Sequence, residues 1–127
     1  MIDKIGAIVV DSKRLLVARE HGLDVFFIPG GTREHRESDL ETLEREVLEE
    51  LSAKVKKSEY YKTFFAAAHH GSEQVQVTAY FVELDGQPAP NSEIEELLWV
   101  DRDNYTKHNL GNALKVIIPE LIKDGVL

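Results

Sequence analysis

Apolar residues recur along this chain with two different periods, and the switches between them outline its elements. Residues 4–10 (KIGAIVV) form an apolar run ended by the turn cluster Asp11-Ser12-Lys13, and 14–19 (RLLVAR) reads as its hairpin partner. A loop over 20–25 leads to a short strand, 26–28, stopped by Pro29-Gly30-Gly31. Ser38 followed by Glu41 makes a capping box, which starts a helix at Asp39. Leu40, Leu43, Val47 and Leu51 follow at helical spacing and predict one buried face. Past Ser52 the period becomes two. One or two strands are predicted over 53–68, and a half-buried strand over 73–84 after a His69-His70-Gly71-Ser72 turn. A loop over 85–93, a buried strand at 97–100 and a closing helix over 112–122, kinked or broken at Pro119, complete the chain. Strands of both kinds with two amphipathic helices predict an α+β fold, a mixed sheet covered by helices.

At 127 residues with 43% apolar content, the chain reads as one folded domain, 1–127. It has no cysteine, which excludes disulfides and thiolate metal sites and makes a reducing, cytoplasmic setting the natural expectation. Asp3 and Lys4 interrupt the first apolar run, which is too short for a signal peptide or membrane span. A net charge of −8 argues against nucleic acid polymers and anionic membranes as partners. A small phosphorylated ligand remains compatible, provided divalent cations sit between carboxylates and phosphates.

The acidic residues are not spread evenly. Glu46, Glu49 and Glu50 stand at i, i+3 and i+4 on the predicted helix and so share a face. Carboxylates held this close repel one another unless positive charge lies among them, and Mg²⁺ prefers such oxygen donors. Glu37 can join them from the preceding loop, and Arg45 can pair with a carboxylate and fix its rotamer. Gly30-Gly31 permits positive φ and close approach of the loop to the helix. An acidic helix face is ordinarily just solvated surface. The spacing argues otherwise: Gly31, five residues, Glu37, seven residues, then Arg45-Glu46-Val47-Leu48-Glu49-Glu50.

This pattern resembles the Nudix box, G-x5-E-x7-R-E-U-x-E-E-x-G-U with U aliphatic, over Gly31 to Ala53. Residues 14–19, 26–31 and 93–105 also follow the family's usual order. The resemblance implies an α/β/α sandwich with a central mixed sheet. It also implies a hydrolase, of the MutT-like kind, that uses Mg²⁺ or Mn²⁺ to cleave a nucleoside diphosphate linked to another group. Carried over by position, Glu46, Glu49 and Glu50 are implied metal ligands. Glu37 is implied as a further ligand or as the partner of Arg45, and Gly31 as the loop glycine. Two positions depart from the pattern. Ser52 replaces the second glycine at a helix end that favours the left-handed conformation, at a cost on the order of 1 kcal/mol. Arg36 stands where the family commonly has glycine, and is expected to reshape the loop or add a phosphate contact.

Hydrolysis at phosphorus is mostly positioning and electrostatics. Glu46 is the first choice of general base, with Glu93, Glu95 and Glu96 as candidates from the later loop. Arg19 and Arg33 are candidate phosphate clamps beside Gly30 and Gly31. Phe26, Phe27, Tyr80 and Trp99 read as core. Asn104, Asn109 and Asn112 read as loop and cap residues, and His69-His70 as turn residues with a secondary chance of touching substrate. The expected substrate is a small nucleotide, foremost a nucleoside triphosphate, including an oxidised one of the 8-oxo-dGTP kind. The alternatives are ADP-ribose, a nucleotide sugar, a dinucleoside polyphosphate, or a non-catalytic nucleotide-sensing module. A monomer or homodimer is expected.

Overall fold

The structure, a computed structural model, describes residues 1–68 and 73–127. The predicted turn at 69–72, with its histidines, lies outside the described residues. The first apolar run does not form one strand. It divides into β1 (Ile2–Ile8) and β2 (Val10–Asp11), which belong to different sheets. β2 makes a tight hairpin with β3 (Arg14–Glu20), pairing Val10 with Leu15 across Ser12 and Lys13, whose φ angles are 52° and 58°. Two consecutive left-handed residues match the turn to the strand twist.

β1 sits inside a four-stranded sheet of order β5-β1-β7-β6, antiparallel to β5 (Gly30–Thr32) and parallel to β7 (Gln74–Asp85). The sheet is therefore mixed. β6 (Lys54–Ala67) is a single long strand with two register shifts against β7, not two strands. The second sheet pairs β3 with β2, with β4 (Phe26–Phe27) and with β8 (Ile94–Val100), which begins earlier than the sequence suggests.

Side-chain alternation along β1 feeds two cores. Ile5, Ala7 and Val9 meet Leu43, Val47 and Leu51 of α1 (Asp39–Leu51), while Ile8, Val75, Val77 and Ala79 meet Leu114, Ile117, Ile118 and Leu121 of α2 (Asn112–Lys123). This is the expected α/β/α layering. Leu40 departs from expectation: it lies in the first turn of α1, ahead of the layer that covers Leu43 and Val47, and is 46% exposed. Pro119 does not break the closing helix, for α2 runs through it to Lys123. Pro119 and Lys115 are both exposed, so the carbonyl one turn back that loses its partner is on the side water reaches. No helix among the described residues is long and apolar enough to cross a membrane.

Candidate active site

Two glycines let the β4–α1 connection fold tightly onto its neighbours. Gly30 has φ 140°, and a Cβ there would lie 2.0 Å from the Ile5 carbonyl oxygen. A Cβ on Gly31 would lie 2.5 Å from Glu46 Oε1. The Gly30 N–H donates to Glu50 Oε1 at 2.8 Å, fastening the loop to the last turn of α1. Arg36 adopts φ 65°, so the loop keeps the left-handed conformation that glycine commonly supplies there. Ser52 does the same at the helix end, with φ 52° and ψ 34°.

Arg45 organises the charges. Its Nε and Nη2 donate to the two oxygens of Glu37 at 2.7 and 2.9 Å, its Nη1 to Glu46 Oε1 at 2.7 Å, and its Nη2 also to the Thr32 carbonyl at 3.0 Å. Glu37 further accepts from the Glu34 N–H and the buried Thr42 hydroxyl. The Arg45 hydrogen bonds, then the Glu34 N–H, hold the Glu37 carboxyl down at about 2. Arg45 is itself raised, chiefly by Glu37. Glu46 is shifted up by burial despite its bond to Arg45. Glu50, only 9% exposed, is pushed up to about 8 by burial, with Glu46 and Glu93 adding like charge and the Gly30 N–H opposing.

Glu93 arrives from outside the helix. The chain after β7 caps α1: Ala89 N–H donates to the Leu51 carbonyl, Asn91 N–H to that of Glu50, and the Asn91 side-chain amide to that of Glu49. These are the carbonyls a helix end leaves unpaired. Ser92, at φ 54°, then turns the chain back, and Ile94 N–H bonds to the Asn91 carbonyl. Oxygens of Glu46, Glu50 and Glu93 thereby come within 4.8 Å of one another. Clustered carboxylate oxygens, one pair of them substantially buried, fit a hard divalent cation.

The other candidates fall around this group. Glu49 is half-exposed, 3.9 Å from Arg45. Arg33 binds Asp3 and Asp39. Arg19 binds Glu95 and Glu96.

A cavity of about 360 Å³ opens beside the cluster, with Gly30, Gly31 and Glu50 in its wall. Leu23, Phe27, Ile28, Val77 and Ala113 supply its apolar lining. Phe27 thus borders the cavity rather than the core, whereas Phe26 is buried. The Tyr80 hydroxyl bonds Asp39, and Trp99 packs at the α1 core beneath Arg14. Asn104 and Asn109 make loop hydrogen bonds, while Asn112 donates to the Ala67 carbonyl and also lines the cavity. Lys4 is the one cation among the described lining residues, and has no ion-pair partner among the described residues. Sequence reading missed it because it sits within an apolar run; its alternation with Gly6 and Ile8 was the available signal.

A carboxylate-bearing loop and helix at the edge of a cavity form a candidate site suited to a hard cation and a small ligand. The family model of the NUDIX domain matches residues 2–121, and the chain belongs to that family as a Nudix pyrophosphohydrolase. Among curated proteins none matches the chain. Solved structures do. The ORF135 protein of E. coli is 23% identical, with a TM-score of 0.76 over 98% of this chain and 89% of that one. A mutator MutT protein from Bacillus halodurans is 24% identical, with a TM-score of 0.75 over 94% and 80%. The NUDIX domain of Shewanella oneidensis NrtR, solved in complex with ADP ribose, is 14% identical, with a TM-score of 0.76 over 100% and 89%.

Proposed function

We propose that the protein is a divalent-cation-dependent pyrophosphohydrolase of nucleoside triphosphates, releasing the monophosphate and pyrophosphate. The observation that carries this reading is the meeting of Glu46, Glu50 and Glu93, with Glu50 in the wall of a nucleotide-sized cavity. Glu46, Glu50 and Glu93 would hold Mg²⁺ or Mn²⁺, with Glu49 completing the set from the exposed side of the helix. A cation held there would supply neutralisation of phosphoryl charge and a more acidic water. Arg45 fixes one oxygen of Glu46 and leaves the other to accept the proton of the attacking water. Glu37 acts through Arg45, since both of its oxygens are engaged there. Lys4 donates to the ligand from the cavity rim. A cavity of about 360 Å³ lies at the lower end of small-molecule sites and suits one nucleoside better than two.

The likeness to a domain solved with ADP ribose supports a second reading, an ADP-ribose hydrolase or sensor. One screen separates them. Nucleoside triphosphates (oxidised forms included), ADP-ribose, nucleotide sugars and dinucleoside polyphosphates are incubated with Mg²⁺, and the pyrophosphate, nucleoside monophosphate and sugar phosphate released are measured. Pyrophosphate from triphosphates supports the proposal. Turnover confined to ADP-ribose, or tight binding of it without turnover, overturns it.

A further inference from the structure

We infer that Arg19 is a positioning residue that acts on the reaction through Glu93, by locking the start of β8 to the lip of the cavity. The inference rests on Glu93 belonging to the cation-holding set proposed above. Arg19 had looked like a phosphate clamp, but its geometry points elsewhere.

β3 and β8 pair regularly from Leu15↔Val100 to Arg19↔Glu96, and then the register shifts so that Glu20 faces Ile94. Glu95 is the extra residue. A bulge of this kind bends a strand and re-aims the side chains beside it. Beyond it, the His21 N–H donates to the Glu93 carbonyl at 2.9 Å, so pairing resumes at the residue that enters the carboxylate cluster.

One guanidinium spans the irregularity. Arg19 Nε donates to Glu96 at 3.1 Å, and Nη2 reaches Glu96 at 3.0 Å and Glu95 at 3.3 Å. Nη1 donates to the Leu23 carbonyl at 2.8 Å and approaches Glu95 at 3.5 Å. Every nitrogen of the fork thus has a protein acceptor, and four of its five N–H groups are hydrogen-bonded within the protein rather than turned to a substrate phosphate. Leu23 lines the cavity, so the same side chain joins the cavity lip to the bulge.

Electrostatics explains the need. Glu93, Glu95 and Glu96 put three like charges into four residues. Arg19 pairs with Glu95 and Glu96, its single charge offsetting one of the two, and Glu93 is left to face Glu46 and Glu50. Without Arg19, Glu95 retains His21, at 3.5 Å, and the Gly22 N–H, while Glu96 loses its ion pair.

The test compares Arg19→Ala, Arg19→Lys, Glu95→Gln/Glu96→Gln, Glu93→Gln and Arg19→Ala/Glu93→Gln. Measured are kcat, KM and, on nucleotide-free protein, the Mn²⁺ dissociation constant. Arg19→Ala is expected to weaken Mn²⁺ binding and lower kcat by about 10- to 100-fold, the range for partners behind a metal ligand, with KM little changed. Glu95→Gln/Glu96→Gln should reproduce this, and it serves as the test if Arg19→Ala fails to fold. Arg19→Lys should recover only part, since it keeps the charge but loses the fork. Adding Arg19→Ala to Glu93→Gln should cost nothing further. A raised KM that persists in the Glu93→Gln background, with Mn²⁺ affinity intact, makes Arg19 a phosphate clamp and overturns the inference. If Glu93→Gln alone leaves Mn²⁺ affinity and kcat unchanged, the carboxylate set is wrong and the inference falls with it.

Discussion

Arg45 and Glu37, eight residues apart in sequence, meet through two hydrogen bonds of 2.7 and 2.9 Å that occupy both oxygens of the carboxylate. The same guanidinium holds Glu46. Arg45→Ala should therefore disorder both the loop and the carboxylate that faces the substrate. Turnover should fall on the order of a hundredfold or more, and the melting temperature should drop. Arg45→Lys should restore only part of either, because an ammonium cannot bridge two oxygens of one partner and reach a second. Steady-state kinetics and a thermal melt on the two variants check this; near-wild-type turnover in Arg45→Ala would count against the site.

The two loop glycines should fail in different ways. Gly30→Ala drives a methyl group into the backbone of β1 and is expected to destabilise the fold outright. Gly31→Ala meets only the movable end of Glu46, so the protein should fold while turnover falls. Melting temperature and kcat, measured on both variants, should separate; equal effects would show that Gly31 is not there for Glu46.

In metal-free protein the site should make stability depend on pH. Glu50 titrates at about 8 in the fold against 4.5 ordinarily. Between those values the unfolded chain has released a proton that the folded chain retains, so stability falls as pH rises from about 4.5 toward 8. Glu37, held at about 2, works in the opposite sense: its contribution is present above 4.5 and is lost as pH falls toward 2. Melts in EDTA should therefore decline between pH 5 and 8. Millimolar Mg²⁺ should flatten that decline, and so should Glu50→Gln. A wild-type profile in EDTA that is flat over this range contradicts the arrangement.

Removal of the cation should abolish turnover, and Mg²⁺ or Mn²⁺ should raise the melting temperature by binding the folded state alone. Glu50→Gln should lose about a hundredfold in turnover. Glu41→Gln is the control on the same helix. Glu41 Oε1 accepts from the Ser38 N–H in the capping box, a role glutamine also fills, so its turnover should stay at wild type. Equal behaviour of the two variants on an identified substrate would mark α1 as ordinary surface.

What could be read from sequence was what local spacing determines. Ser38 and Glu41 exchange the two hydrogen bonds of a capping box, and the helix begins at Asp39 as their spacing predicts. Glu46 and Glu50, one turn apart, do converge. The singling out of Glu93 from Glu95 and Glu96 was not legible, because it depends on a bulge and on a helix cap that close through contacts distant in sequence. The partners of Arg19 lie 76 and 77 residues away, and Asp3 lies 30 residues from Arg33, so neither arginine could be seen to be occupied. The division of β1 from β2 was hidden for a similar reason: an apolar run looks the same whether it serves one sheet or crosses between two.

The segment from Ala89 to Ile94 answers to two neighbours at once. At one end it closes the carbonyls of Glu49, Glu50 and Leu51; at the other it is already paired into β8. Its length is therefore a measured span, with no slack to absorb an added or missing residue. Lengthening it by one would leave the helix, its glutamates and the glycine turn intact in sequence, yet either strip α1 of its cap or carry Glu93 out of reach of Glu46. The count of residues between two elements, and not the box residues alone, thus decides whether Glu93 meets Glu46 in this chain.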